Sequence, residues 1–266
     1  MKDLIKILKE QSDKGHPSVL VTVIEVKGSA PQKVGAKMLV SKEGIRLWGT
    51  IGGGTIENLA LQQAKIQIKE QKHMLKQYEL TEEGKDSTGM LCGGNMYLFY
   101  DILGTTTKVY ILGAGHISQK LAPMMTMLGF WTVIIDDRKE YLHESFENTE
   151  GVELLSGSLP QYLDTIEFEP GSYVVIVSYS HELDEKILKY LLTEKSQNVA
   201  QLKYLGMIGS KRKVKEIFSR LKAQGVNSFQ LDKVHAPIGI PIGSQTPEEI
   251  AVSIAAEIIK IRNLEE

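Results

Sequence analysis

The stretch that most constrains this chain runs from Val109 to Ser118. An apolar run, Val109-Tyr110-Ile111-Leu112, ends in Gly113-Ala114-Gly115-His116-Ile117-Ser118. A helical pattern begins at once, because Ile117, Leu121, Met124, Met125 and Leu128 recur at steps of three and four and so share one face. Phe130 to Ile135 is a second strand-like run, and it ends at Asp136-Asp137-Arg138. Strand, glycine turn, helix, strand, acid is the order of a dinucleotide-binding unit. Asp136 stands near the roughly 20-residue spacing from which a carboxylate reaches a ribose. The glycines let the backbone pass close to a pyrophosphate, and the helix start offers unpaired N–H groups to it. Two residues depart from the pattern: Ser118 holds the third glycine position, and Pro123 lies inside the helix, where it removes a donor and predicts a kink. Without the acid, the turn is equally a tight connection that binds nothing. With Asp136 in place, a nucleotide-like or pterin-like ligand is the better reading.

Two domains are expected from 266 residues, with boundaries at 1–103 and 108–266, since Gly104-Thr105-Thr106-Thr107 is short, polar and without apolar periodicity. A hydrophobic share of 42% and a charged share of 24% are ordinary for a soluble globular chain. A net charge of −2 points to no nucleic-acid partner. No apolar stretch approaches the roughly 20 residues of a membrane span, and the amphipathic start lacks a signal-peptide core, so the cytoplasm is expected. The single cysteine, Cys92, excludes an intrachain disulfide.

Before the boundary, Val19 to Val26 reads as a strand buried on both faces or held in a tight sheet, followed by a turn at Gly28-Ser29-Ala30-Pro31. Val34–Val40 and Ile45–Ile51 read as a hairpin. Gly52-Gly53-Gly54 then opens a helix from about Thr55 to Lys69. Three glycines at such a junction can form an anion-binding nest of N–H groups, or merely a flexible connection. Glu57 in the first helical turn suits the helix dipole and is a candidate ligand contact. Tyr78 to Leu80 reads as a further strand. Cys92-Gly93-Gly94 places a thiol in a glycine loop, where it is accessible enough to ligate a metal or carry sulfur; a buried lone cysteine would be inert.

Past Asp136, strands at Val152, Tyr173–Val177 and Tyr204–Ile208 alternate with helices, which implies a doubly wound parallel sheet with right-handed crossovers. Such sheets bind ligands at the carboxyl ends of their strands. Gly113, Gly115 and His116, then Asp136, His181, and Gly209-Ser210-Lys211 follow strands directly and should converge on one crevice. Basic residues in the helix start at Lys211-Arg212-Lys213 oppose its dipole, which a bound phosphate would relieve. Thr246-Pro247-Glu248-Glu249 is a capping box that starts a last helix with Ile250, Ile254, Ile258 and Ile261 on one face.

Together these segments resemble the XdhC/CoxI accessory proteins of molybdenum hydroxylases. The matching stretches are Gly28-Ser29-Ala30-Pro31, Gly35-Ala36-Lys37-Met38, Gly49-Thr50-Ile51-Gly52-Gly53-Gly54 with Glu57, and Cys92-Gly93-Gly94. Later ones are Gly113-Ala114-Gly115-His116, Asp136-Asp137-Arg138, Gly206-Met207-Ile208-Gly209-Ser210-Lys211-Arg212, and His235-Ala236-Pro237-Ile238-Gly239 through Ala251. The resemblance implies an α/β protein with a mixed α+β XdhC/CoxI domain and a C-terminal Rossmann-like domain. It implies binding, protection and delivery of sulfurated molybdenum cofactor, as molybdopterin or its dinucleotide form, to an apo xanthine dehydrogenase-type hydroxylase. A cysteine desulfurase would be a partner. By position, the triple glycine with Glu57, and Cys92 with its glycines, become the cofactor-handling residues, with Cys92 as the soft metal ligand. The alternative is an NAD(P)-dependent oxidoreductase using Gly113, Gly115 and Asp136, with NAD favoured because a carboxylate repels a 2′-phosphate. A homodimer is expected from base rates.

Overall fold

The structure is a computed structural model that describes residues 2–70, 72–80, 94–104, 107–146, 149 and 151–264. The chain divides into two compact units, Met1–Thr106 and Thr107–Glu266.

The first unit runs α1 (Lys2–Asp13), β1 (Ser18–Lys27), β2 (Lys37–Ser41), β3 (Arg46–Gly49), α2 (Gly54–Glu70), β4 (Met74–Glu79) and β5 (Asn95–Leu103). Among the described residues its strands pair in the order β3-β2-β1-β5-β4, and every pairing is antiparallel. The central strand β1 is not buried on both faces as its apolar run suggests. Val19, Val21 and Val23 are fully buried, while Leu20 and Thr22 are half-buried and Ile24 is exposed. The reason is that α2 packs against the valine face through Ile56, Ala60 and Ala64, at helical spacing. Small alanines let the helix lie close to the sheet. Full burial of each valine contributes about 1.5 kcal/mol or more. Strand β4 begins at Met74 rather than near Tyr78, and its alternating exposure is that of a sheet edge carrying Leu75, Gln77 and Glu79 outward.

The second unit runs β6 (Lys108–Leu112), α3 (His116–Met127), β7 (Trp131–Asp136), α4 (Lys139–Phe146), β8 (Val152–Ser156), a 3-10 turn (Gln161–Thr165) and β9 (Tyr173–Ile176). It continues with α5 (His181–Thr193), α6 (Ser196–Val199), β10 (Tyr204–Met207), α7 (Lys211–Ala223), α8 (Ser228–Leu231) and α9 (Pro247–Asn263). The sheet is parallel, in the order β10-β9-β6-β7-β8. Alternate residues of each strand feed two cores. Tyr110 and Leu112 meet Ile187, Leu191, Ile217 and Leu221 on one side. Val109 and Ile111 meet Leu121, Met125, Ile254 and Ile258 on the other. The result is a three-layer, doubly wound α/β unit. Helix α3 remains a single helix through Pro123. The last helix starts with the expected capping box between Thr246 and Glu249. Among the described residues, no helix is long and apolar enough to cross a membrane.

Candidate functional site

In the first unit the triple glycine is held by one buried carboxylate. Glu57, in the first turn of α2, accepts hydrogen bonds from the Thr50 hydroxyl, the Ile51 N–H at 3.1 Å, the Gly53 N–H and the Arg46 Nη1 at 2.9 Å. Burial by itself raises this carboxyl's pKa. The Thr50 hydroxyl, the two amides and the Arg46 charge outweigh it and hold the group below its ordinary value. Glu57 is therefore a brace that shapes the loop, with its oxygens turned to the protein. Arg46, on β3, has a side chain 52% exposed beside that brace.

Close approaches lock the neighbouring turns together. A Cβ on Gly52 would lie 2.5 Å from Pro31 Cγ, and one on Gly94 would lie 2.3 Å from the Ser29 carbonyl oxygen. The Gly28–Pro31 turn is thus wedged between Gly52 and Gly94, so three motifs far apart in sequence meet at one place. Gly53 and Gly54 face the other way: a Cβ on either would meet nothing within 4 Å. An open glycine backbone, a helix start and a half-exposed arginine suit an anion such as a phosphate monoester. Cys92 and Gly93 lie outside the described residues. Among the described residues no cluster of three or more His, Cys, Asp or Glu is arranged to hold a metal ion.

In the second unit the strand order reverses between β6 and β9, which places the ligand crevice between the loops that follow them. Gly113 presses into the β9 loop; a Cβ there would lie 2.4 Å from the Val177 carbonyl oxygen. Ser118 occupies the third glycine position because its hydroxyl donates to the Gly113 carbonyl at 2.6 Å, tying helix to turn. Gly115 caps α3 without any side-chain hydrogen bond, and a Cβ on it would meet nothing within 4 Å. His116, the first residue of α3, is exposed beside it.

Asp136 ends β7, buried, and reaches back to the glycine turn: Oδ2 accepts from the Ala114 N–H at 2.8 Å. Arg138 supplies the rest, donating from its backbone N–H at 3.0 Å, from Nε at 2.8 Å and from Nη2 at 2.7 Å. Burial would raise the Asp136 carboxyl, but Arg138 and the two amides overcome it and leave the pKa lowered. The Arg138 guanidinium lies 4.8 Å from the ring centres of both Tyr141 and Tyr179. His181 opens α5 with its side chain 46% exposed, and its Nδ1 is 3.7 Å from the buried Asp184. Asp184 accepts from the Ser178 N–H at 2.9 Å and from the Ser178 hydroxyl at 2.7 Å, fixing the β9 loop. Desolvation pushes its carboxyl above the usual value.

Gly113, Gly115, Asp136 and the β9 loop with His181 are therefore brought together. Gly209, Ser210 and Lys211 follow the adjacent strand β10 on the same edge, and Ser210 caps α7 by accepting from the Lys213 N–H at 3.4 Å. Arg46, Tyr179 and Asp184 are contributors that the motifs do not reveal. Arg138 stands in the Asp136-Asp137-Arg138 motif, a base two residues after the acid that ends a strand, but its part as the partner of Asp136 does not show in the sequence.

Two family models match this chain: the XdhC Rossmann domain over residues 109–258 and the XdhC and CoxI family over residues 12–79. The chain is 29% identical over 247 residues to "Uncharacterized protein YqeB" of Escherichia coli, covering 93% of this chain and 44% of that protein. It thus spans under half the length of that relative. It is 26% identical to a probable xanthine dehydrogenase subunit of Bacillus subtilis, over 96% of this chain and 95% of that one. A crystal structure of a xanthine dehydrogenase from Bacillus halodurans matches with a TM-score of 0.54 at 22% identity, covering 98% of this chain and 96% of the other. That likeness speaks for a shared fold. With a family model matching more than half its length, the chain belongs to the XdhC/CoxI family.

Proposed function

We propose that this protein is an accessory factor of a xanthine dehydrogenase-type molybdenum hydroxylase, which binds molybdenum cofactor in its N-terminal unit and passes it to the apo-hydroxylase. The observation behind this reading is the Glu57 brace, which presents Arg46 beside the open backbone of Gly53 and Gly54. A pterin phosphate fits such a cluster: a glycine backbone open to its approach, a helix start, and an arginine held in one orientation so that little rotamer freedom is lost on binding. The family assignment supports the same reading, as do the xanthine dehydrogenase names borne by the Bacillus relatives.

Bound there, the cofactor would supply the molybdenum–sulfur centre that the hydroxylase uses. The chain's own part is to grip the phosphate with Arg46 and the start of α2 at Gly54, since the Gly52 and Gly53 N–H groups are given to Thr50 and Glu57. Cys92, two residues before Gly94 in sequence, is the soft ligand this reading assigns to the sulfurated metal, with a cysteine desulfurase as sulfur donor. Anaerobic mixing with isolated molybdenum cofactor, followed by gel filtration, tests the proposal. Co-elution of cofactor with the protein, and its transfer to apo-hydroxylase, support it; failure of both free and sulfurated cofactor to co-elute defeats it. The glycine turn at Gly113–Gly115 favours one other reading, an NAD(P)-dependent oxidoreductase. Substrate-dependent oxidation of NADPH or NADH by the purified protein would decide for that.

A further inference from the structure

The ribose-recognising acid of the C-terminal unit has no room for a ribose. Asp136 has two oxygens, and together they accept four hydrogen bonds, from Ala114 N–H and from three N–H groups of Arg138, at 2.7–3.0 Å. Its side chain is 2% exposed. A ribose diol donates two hydrogen bonds and needs a carboxylate with lone pairs facing the crevice. Here those lone pairs are spent inside the protein.

The group that faces outward at this rim is Arg138. Its side chain is 38% exposed. A guanidinium carries five N–H donors, and Asp136 takes one from Nε and one from Nη2, leaving three on the far edge of the fork. Tyr141 and Tyr179 flank it at 4.8 Å each, so the fork is oriented before any ligand arrives. On either side in sequence, exposed Asp137 and Lys139 carry opposite charges and nearly cancel. An oriented arginine edge with free donors at the end of the second strand recognises a phosphate on the ribose rather than the ribose hydroxyls. The pyrophosphate end of the crevice is compatible: Gly115 is open, and no side chain caps α3 beside it. Tyr179, 56% exposed on the β9 loop, offers a ring against which a base can stack.

We infer that the C-terminal crevice binds a 2′-phosphorylated dinucleotide, NADP(H), in preference to NAD(H), with Arg138 reading the 2′-phosphate and Asp136 acting as the positioning residue that holds Arg138 and Ala114. This reverses the preference that an acid at the end of β7 implies by itself. It concerns a different unit and a different ligand from the cofactor grip proposed above, so either can fail without the other.

The full chain is titrated with NADPH and with NADH at low ionic strength, following nicotinamide fluorescence. NADPH should bind at least about tenfold more tightly, the difference expected of one oriented arginine–phosphate contact. Without any substitution, 2′-AMP should displace NADPH at a concentration about tenfold below 5′-AMP. Arg138→Gln should bring NADPH down to the affinity of NADH. Because that change also strips Asp136 of its partner, Arg138→Lys is the companion variant. It keeps the charge, loses the fork, and should retain only part of the preference. Tyr179→Ala should weaken NADPH and NADH by the same factor. Equal affinity for the two dinucleotides, a preference for NADH, binding of neither, or an unchanged preference in Arg138→Gln overturns the inference.

Discussion

Replacing Glu57 by alanine probes the N-terminal loop most sharply, because one carboxylate serves four donors there. The donors do not contribute equally. Ile51 is fully buried, and its N–H left without an acceptor costs about 1–3 kcal/mol. Thr50 is exposed and Gly53 half-buried, so both reach water after the change and cost little. Arg46 is half-exposed, and the loss of its ion pair is worth about 0–1 kcal/mol. The loop should therefore lose about 1–4 kcal/mol of local stability, while the β1 valine core beneath it is untouched. Hydrogen exchange reads this directly: the Ile51 and Gly53 amides should exchange about fivefold to 1,000-fold faster in Glu57→Ala. Glu57→Gln keeps one acceptor and the shape, so its acceleration should be smaller than that of the alanine variant. The same group sets a pH dependence. Its folded pKa is lowered, so its stabilisation is complete above the unfolded value, near 4.5, and is lost as pH falls toward the folded one. Wild-type loop protection should drop below pH 4.5, and the Glu57→Ala loop should show no such drop. Unaltered exchange at Ile51 and Gly53 in the alanine variant would refute the brace.

Gly113→Ala places a Cβ 2.4 Å from the Val177 carbonyl oxygen at a φ of +117°, so backbone must shift; thermal denaturation should show the C-terminal unit weakened by about 2–4 kcal/mol, and a change below about 0.5 kcal/mol would contradict the close approach. Asp184 has the opposite sign from Glu57: burial raises its folded pKa, so its contribution is complete below the unfolded value, near 3.8, and is lost as pH rises through the folded one. Asp184→Asn keeps an acceptor for Ser178 and cannot ionise, so at pH 7 it should cost less than about 1 kcal/mol and flatten the pH dependence of urea unfolding of this unit.

Legibility follows the range of the interactions. The turn at Gly113–Gly115, the helix after it and the acid at Asp136 are contiguous, and strand and helix periods announce them. The capping box at Thr246 is local and is readable for the same reason. The strand β1 misleads because an unbroken apolar run reads alike for a doubly buried strand and for an antiparallel strand with one covered face; only the position of α2 distinguishes them. Strand β4 hides because an edge strand with charged residues has little apolar signal. Pro123 removes one donor of the ladder, and α3 runs as one helix across it, with Leu121, Ala122 and Met125 on its buried face. The two arginines are the largest gap. Arg46 meets Glu57 across 11 residues and two elements, and nothing local pairs them. Arg138 stands two residues from Asp136, but whether an acid faces the ligand or its own neighbour is a matter of side-chain direction, which spacing does not encode.

Cofactor retention by the wild-type protein and by Arg46→Gln, measured side by side on anaerobic gel filtration, bears most directly on the central claim. Arg46 is half-exposed and lies outside the core, so the variant should fold and keep its circular dichroism spectrum. The wild type should carry molybdenum cofactor through the column, and Arg46→Gln should retain at least about tenfold less, the loss expected from one oriented phosphate contact. Equal retention by both, or none by either, would contradict the account.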